Sequence, residues 1–434
     1  MQVGFGRIEI TPQASVPLGG YGNTDKRKSQ QVLDPLMATC VAITDENLQT
    51  LLLISLDLGN SSDVIKIREL VAQATGIPED HIMVAATHTH SAPDLYSKDE
   101  NTLAWKDYYT PRVAMAAEAA MEDRSAAKIY FGKTETKGMN FVRHYLLSDG
   151  SYGGDNFGDF KQNTIVDHAA PNDPGMQVIR FVRDSAKDIV MVNWQAHPTV
   201  TGGILKTDLS ADFIGSTRSF IEDTTGDLFI YFTGAAGNQN YKSRIPGETP
   251  TDDNTEYGKL LGAYVLEAQE CMDQVKDSRI KSIQMTFSGQ IDHTMEEKLE
   301  QAKEVRQLFL KEGRVAGNQL ARQYGFSSVY HAGAVVRRSS WEKTRNMELN
   351  AYSIGEISFI AAPYEMFAAH GAYIKENTPF PMTFVVSCCN GANSYLPTTA
   401  AYDYGCYESH NGNFVRGTGD TLAETFVSML GELV

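Results

Sequence analysis

The sequence lacks anything that would carry it through a membrane. Its longest apolar stretch, residues 51–58 (LLLISLDL), is far too short to span a bilayer and contains Asp57. Residues 1–12 (MQVGFGRIEITP) show no basic region followed by an apolar run, so no secretory leader is read there. Cysteine is scarce: Cys40, Cys271, Cys388, Cys389 and Cys406 form no CxxC pair, and their number is odd. Reduced thiols in a cytoplasm are the expectation, and a secreted chain trimmed of its leader is the alternative. Positive charge is short as well, with 38 Lys and Arg against 54 Asp and Glu, a formal charge of −16. That balance argues against a nucleic-acid partner and against an anionic membrane surface. No solenoid-length repeat is visible, which excludes propellers and helical arrays, and no Pro/Ser-rich linker divides the chain.

What the sequence does have is material for a large core. Of 434 residues, 42% are hydrophobic and 21% charged, which excludes global disorder. Length alone suggests roughly three domains of about 150 residues. The pattern argues for one. Short apolar runs at 37–43, 50–58, 82–86, 189–194 and 228–233 read as strands, with amphipathic helices expected at 63–75, 109–121 and 212–222. Ser61, Ser62 or Asp63 can cap the first of these helices. Near-continuous apolar strands between helices indicate an α/β fold of layered mixed sheets covered by helices. Residues 137–175, rich in Gly, Asp and Asn, read as a long loop. Residues 294–324, the most charged stretch, read as two helices broken near Gly313. A solvated surface hairpin is the expected role, and a lid over a pocket is the alternative. The whole of 1–434 is then one unit with a helical insertion.

Chemistry is concentrated where apolar strands end. The strand at 82–86 runs into Thr87-His88-Thr89-His90-Ser91. At a strand end alternate residues point one way, so His88 and His90 can address one cleft, and neutral imidazole is a good zinc ligand. The strand at 189–194 likewise opens into Ala196-His197-Pro198, although a capped core histidine is the plainer reading of His197 alone. The segment 357–366 delivers Glu365 two residues after Pro363. A carboxylate there is costly to bury unless paired or metal-bound, and it is also favourable near a helix N-terminus. After the apolar run from Phe384 comes a loop with Tyr395, Tyr402, Tyr404 and Tyr407, among which the residues alone do not choose. Residues 233–240 (TGAAGNQN) follow another strand. Their glycines allow close backbone approach to a ligand or simply a tight turn, while the P-loop ending and the serine of a Gly-x-Ser-x-Gly elbow are both missing.

Together these segments resemble the catalytic domain of the neutral (non-lysosomal) ceramidase family. The matching stretches keep the family order: 4–12 with Pro17-Leu18-Gly19-Gly20-Tyr21-Gly22, Asp34-Pro35-Leu36, Ser55-Leu56-Asp57, 86–91, 173–181, 193–199, Ser210-Ala211-Asp212-Phe213, 233–240, 363–365 and 393–408. The resemblance implies one zinc ion held by His88, His197, Glu365 and Tyr395. It makes His90 a nearby group that is catalytic or supports the ligands, Tyr407 an active-site tyrosine and Arg143 a substrate-binding arginine.

Two departures from the family pattern stand out. Where the family has Gly-Asp-x-Ser, this chain has Gly237-Asn238-Gln239-Asn240, which excludes a serine nucleophile at Asn240 and argues against ceramide as substrate. The chain also stops at Val434 after a helix expected at 421–433, so the family's C-terminal β-sandwich is not expected. The resulting expectation is zinc-assisted hydrolysis of an amide-type bond. His90 would serve as base or shuttle, Tyr407 as oxyanion donor and Asn240 as an orienting amide. A small soluble N-acyl compound is the expected substrate. An N-acyl sphingoid base is the second reading, and an inactive metal-binding homologue the third. No stable membrane insertion is expected, and the chain could form a homo-oligomer.

Overall fold

Strands that are apolar from end to end form the middle of the molecule. In the computed structural model, which describes residues 1–21 and 27–434, Thr50–Leu56, Ile82–Ala86 and Ile189–Trp194 are buried at every residue. Gly22, one of the residues carrying the family resemblance, lies outside the described residues. Strands covered on both faces need this continuous apolarity. They belong to a nine-stranded mixed sheet. Its path runs Leu228–Thr233, Ile189–Trp194, Gly175–Arg183, Ser125–Glu135, Gln2–Glu9, Met37–Thr44, Thr50–Leu56 and Ile82–Ala86, with Asp273–Gln274 added beside Ser125–Glu135. The pairs at the two ends of the path are parallel, and the steps between them are antiparallel.

The two ends of this path approach each other. Thr233 Oγ1 donates to the Thr87 carbonyl at 2.6 Å, and Ser55 Oγ to the Tyr231 carbonyl at 2.6 Å. A four-stranded sheet (Ile280–Gln290, Thr344–Ile354, Ile357–Ala361, Met382–Val386) packs across them and shares a core that includes Leu53, Met83, Met191, Phe232, Phe359 and Phe384. Its last two strands are parallel. Buried Asn193 stitches the sheets together, accepting from the Val385 amide and donating to the Val385 carbonyl, both at 3.1 Å. In consequence the carboxyl ends of Ile82–Ala86, Ile189–Trp194, Leu228–Thr233, Ile357–Ala361 and Met382–Val386 meet in one place. That is where open α/β sheets bind ligands.

Helices cover the outer faces. Val64–Thr75 and Glu100–Glu122 cover one side, Phe213–Thr225 and Asn254–Glu267 another, and Ala368–Asn377 with Thr418–Glu432 lie on the smaller sheet. Glu100–Glu122 sits directly on strand backbone. A Cβ at Gly6 would lie 2.0 Å from the Ala116 carbonyl oxygen.

Several expectations change. The helix expected at 109–121 begins at Glu100, capped by Asp99; Trp105 and Tyr109 bury one side of its first turns, and Pro111 lies inside it. Asp63 precedes Val64–Thr75 but does not cap it; its carboxylate binds Lys106 and the Tyr109 hydroxyl. The segment 137–175 is not a structureless loop. It contains Phe141–Val142, His144–Leu147, Tyr152–Gly154 and Ile165–His168, the last three forming a small sheet. Strands of two to four residues are too short to show a period, and a register shift interrupts the last one.

Leu299–Glu312 and Arg314–Gln323 meet at Gly313, with φ 87°. A third helix, Val329–Arg338, packs on both through Ala302, Val305, Ala321, Val329 and Ala332. The segment is more than a solvated hairpin. Arg314, Val315, Asn318 and Arg322 line a cavity beside the candidate site.

Candidate metal centre

His88 lies two residues beyond the end of Ile82–Ala86, at φ 70°. A positive φ at a non-glycine residue costs on the order of 1–3 kcal/mol and marks a position that the surrounding structure holds in place. The common direction of His88 and His90 therefore comes from this turn and not from strand alternation. The His88 amide donates to the Leu58 carbonyl, and its Nδ1 donates to the Gly59 carbonyl at 2.6 Å. His197 repeats the device at the end of Ile189–Trp194. Its amide donates to the Gln239 carbonyl, and its Nδ1 donates to the Ala236 carbonyl at 2.7 Å. The Gly/Ala-rich loop after Leu228–Thr233 thus orients an imidazole. With both Nδ1 protons given to carbonyls, the neutral form of each ring presents a lone pair at Nε2.

Glu365 faces those lone pairs. Its Oε2 is 3.2 Å from His88 Nε2 and 3.3 Å from His197 Nε2. Buried polar atoms are nearly always partnered, yet His197 Nε2 and Glu365 Oε2 have no hydrogen-bond partner among the described residues. With neutral rings these are acceptors facing acceptors, an arrangement that a cation, whether a proton on His88 or a metal ion, relieves. The ligand atoms of His88, His90 and His197 also lie within 4.8 Å of one another. Two imidazoles, a carboxylate and the neighbouring phenol of Tyr395 are a donor set that zinc and other first-row ions accept. The residues present therefore fit a bound metal.

The electrostatics of these side chains by themselves divide. Burial would lower His88, but Cys388 and Glu365 outweigh it and hold it well above the usual histidine range. His88 thus carries a proton that a bound metal would displace, while the other groups are in ligand form. Burial, then His88 and His197, push the His90 imidazolium well below the usual histidine range. Burial, then Arg143, lower His197 to about 4. Burial would raise the Glu365 carboxyl, but His88 and His197 outweigh it and hold it well below the usual carboxylate range. Neutral imidazoles and an ionised carboxylate are the ligand forms of these groups.

His90 is set by the glycine-rich segment near the N-terminus. Arg27 Nη2 donates to the His90 carbonyl at 2.6 Å, and Tyr21 packs edge-on against the ring. Gly20, at φ 90°, leaves no room for more: a Cβ there would be 2.4 Å from the His90 ring.

Tyr395 arrives through Tyr395–Leu396, which pairs in parallel with Glu365–Met366. Burial, with Glu365 adding to it, raises the Tyr395 phenol well above its usual value. Tyr407 packs edge-on against Tyr395, and its hydroxyl oxygen accepts from Asn411 Nδ2 at 3.0 Å. Arg143 stands over the Tyr395 ring, with its guanidinium carbon 5.6 Å from the centroid. It donates to Glu408 at 2.6–2.7 Å and to the Gly237 carbonyl at 3.0 Å. Asn240 sits on a bridge to His197 and lines the cavity.

Sequence reasoning missed two partners in this network. Glu408 is 1% exposed, and its second oxygen takes His144 Nε2 at 2.8 Å. Burial raises its carboxyl, but His144 and Arg143 outweigh it and hold it at about 2. Position beside Tyr407 was the one signal for Glu408. Nothing in the sequence pointed to His144. Cys388, at φ 51°, places its Sγ 3.6 Å from His88 Nδ1 and was also not singled out.

Two cavities meet here, sharing Gly20, His90, Tyr395 and Tyr407. One, about 590 Å³, runs past Glu365 to Tyr96 and Trp341. The other, about 720 Å³, runs past Asn240 to the 154–161 segment and the Arg314–Gln323 helix.

No family model matches the chain. A curated relative, the neutral ceramidase of Pseudomonas aeruginosa, is 21% identical over 309 residues, which cover 65% of this chain and 44% of the relative. The match thus spans less than half of that protein's length. The crystal structure of neutral ceramidase from Pseudomonas aeruginosa superposes with a TM-score of 0.75 at 18% identity, over all of this chain and 74% of the other. A ceramidase structure described as complexed with C2 gives a TM-score of 0.73 at 18% identity, over all of this chain and 75% of the other. The chain has the fold of these ceramidase structures. Its mixed sheets with covering helices are the layered α/β architecture expected from the sequence. No helix of this ceramidase-like domain, among the described residues, is long and apolar enough to cross a membrane.

Proposed function

We propose that this ceramidase-like domain is a zinc-dependent amidase that hydrolyses the amide-type bond of an N-acyl compound. The observation that carries the proposal is the pair of unpartnered buried atoms, His197 Nε2 and Glu365 Oε2, facing each other at 3.3 Å. His88, His197, Glu365 and Tyr395 would hold one zinc ion, with the whole of residues 1–434 acting as one catalytic unit. When bound, zinc supplies Lewis-acid polarisation of the scissile carbonyl and acidifies the attacking water.

The chain's own residues do the rest. His90, kept neutral by burial, accepts the water proton at Nε2 as the water oxygen bonds to the carbonyl carbon. It returns that proton to the amine nitrogen as the carbon–nitrogen bond breaks. Burial keeps the Tyr407 phenol protonated. Since its oxygen already accepts from Asn411, its own O–H is free to donate to the developing oxyanion. Arg143, anchored on Glu408, holds the Gly237 loop and Tyr395 in register. Asn240 offers its side-chain amide to the substrate from the cavity wall.

The polar lining of the larger cavity favours a small N-acyl compound over a long-chain ceramide, while the smaller, more apolar cavity past Leu95 and Trp341 would take a short acyl chain. Elemental analysis of the purified protein, paired with a hydrolysis screen of N-acyl amides, tests the reading. One zinc per chain and zinc-dependent amide cleavage are expected. Full metal occupancy in His197→Ala would overturn the ligand assignment.

A further inference from the structure

The larger cavity has a charge opposite to that of the chain. Although acidic residues exceed basic ones by 16, the side chains lining this arm include Arg143, Lys161, Arg244, Arg314 and Arg322. Asp155 is the one acid among the described residues that line it. Two of the cations are already neutralised, Arg143 by Glu408 and Arg244 by Asp155 at 3.0 Å. Three are not. Among the described residues, no carboxylate lies within ion-pair distance of Lys161, Arg314 or Arg322, and Arg314 reaches only the Asn156 side-chain oxygen at 3.2 Å.

These three groups come from two separate segments, the loop after Tyr152–Gly154 and the Arg314–Gln323 helix. They face one concave wall that is continuous with His90, Tyr395 and Tyr407. A like-charged cluster in an acidic protein is self-repelling and is stabilised by an anion that it can bind. Arginine forks suit carboxylate and phosphate geometry in particular.

We propose that this arm is an anion subsite. The substrate of the amidase would be an N-acyl compound that carries a carboxylate, or another compact anion, away from the scissile bond. The anion would be held by Lys161, Arg314 and Arg322. This rests on the hydrolase reading above, and it names the substrate class of the same site.

Matched pairs of substrates test it on zinc-supplemented protein: N-hexanoyl-4-aminobutyrate against its uncharged terminal amide, N-hexanoyl-4-aminobutanamide, and the monoanilide of glutaric acid against its terminal amide. The first pair places the charge on the amine side and the second on the acyl side. At low salt, kcat/KM for the acid of at least one pair is expected to exceed that of its amide by about tenfold or more, the scale of one charge-assisted hydrogen bond. The triple variant Lys161→Gln/Arg314→Gln/Arg322→Gln should bring that ratio close to one. Lys311→Gln, on the preceding helix and outside the arm, should leave it in place.

Ratios near one in both pairs, or a preference that survives the triple variant, would overturn the subsite while leaving the hydrolase reading intact. If nothing is cleaved, calorimetric binding of the same compounds decides. Tighter binding of the acid that the triple variant loses upholds the subsite and removes the hydrolase reading. Equal binding of acid and amide removes both.

Discussion

Glu365 and Tyr395 are direct partners in a two-residue parallel ladder, Glu365 opposite Tyr395 and Met366 opposite Leu396. Thirty positions apart in sequence, they are brought side by side by strands that leave Ile357–Ala361 and Met382–Val386 in parallel. The backbone thus fixes both candidate ligands at once. Glu365→Gln and Tyr395→Phe each keep shape and remove a ligand function. Both are expected to weaken zinc binding by more than the roughly 10–100-fold that follows loss of an outer-shell partner. Competitive titration with a chelator measures it, and unchanged affinity in Glu365→Gln would remove that residue from the ligand set.

Gly20 is the floor under His90. A methyl at Gly20 would sit 2.4 Å from the imidazole and at a backbone conformation that alanine adopts poorly. Gly20→Ala is therefore expected to displace the ring and lower kcat by about 10²-fold, the cost of misplacing a catalytic group by about 1 Å. Under the proposed ligand set of His88, His197, Glu365 and Tyr395, zinc content should stay near one per chain. Simultaneous loss of metal would show that His90 is itself a ligand.

Glu408 answers two buried cationic or hydrogen-bonding partners, Arg143 and His144. In Glu408→Gln the Arg143 charge stays buried without its carboxylate. Breaking such a pair costs about 3–5 kcal/mol. Chemical denaturation should show a loss of that size, and a loss below about 1 kcal/mol would mean that water replaces the carboxylate.

The pH dependence of folding should carry a histidine signature from the helical region. His331 stacks on His410, with centroids 4.5 Å apart. Burial, with His410 and Arg338 adding to it, lowers His331 to about 3, and burial also lowers His410. Unfolded histidine titrates near about 6.5. A histidine depressed in the fold contributes stability that is fully present above about pH 6.5. That stability is lost as the pH falls from there towards about 3, at up to about 1.4 kcal/mol per pH unit per histidine. The stability gap between the wild-type protein and His331→Gln should therefore narrow on going from pH 7 to pH 4. A gap that stays constant with pH would show that His331 is charged in the fold.

Much of the site was legible because strand ends are legible. Residues 82–86 and 189–194 are apolar without interruption, so the histidines just beyond them stood out as polar groups at the mouth of a buried sheet. Glu365 stood out for the same reason. Tyr395 did not, since four tyrosines share its loop; the family resemblance picked it out, and in the structure the register with Glu365 separates it from Tyr402 and Tyr404. The short strands within 137–175 were illegible because two to four residues carry no period. The position of Arg314 and Arg322 on a cavity wall was illegible because a charged helix looks the same in sequence whether it faces solvent or a cavity.

The sequence by itself determined the layered α/β class, the strands that lead into His88, His197 and Glu365, and the absence of a serine at Asn240. These are local properties: hydrophobic period, residue type and spacing. Tertiary structure alone decided that the two ends of a nine-stranded sheet approach each other and that Glu365 faces both imidazoles. It also decided that Glu408, 265 positions from Arg143, clamps it beside Tyr395. These relationships depend on which distant strand ends are packed together, and that is settled by the burial of whole sheet faces and not by any one segment.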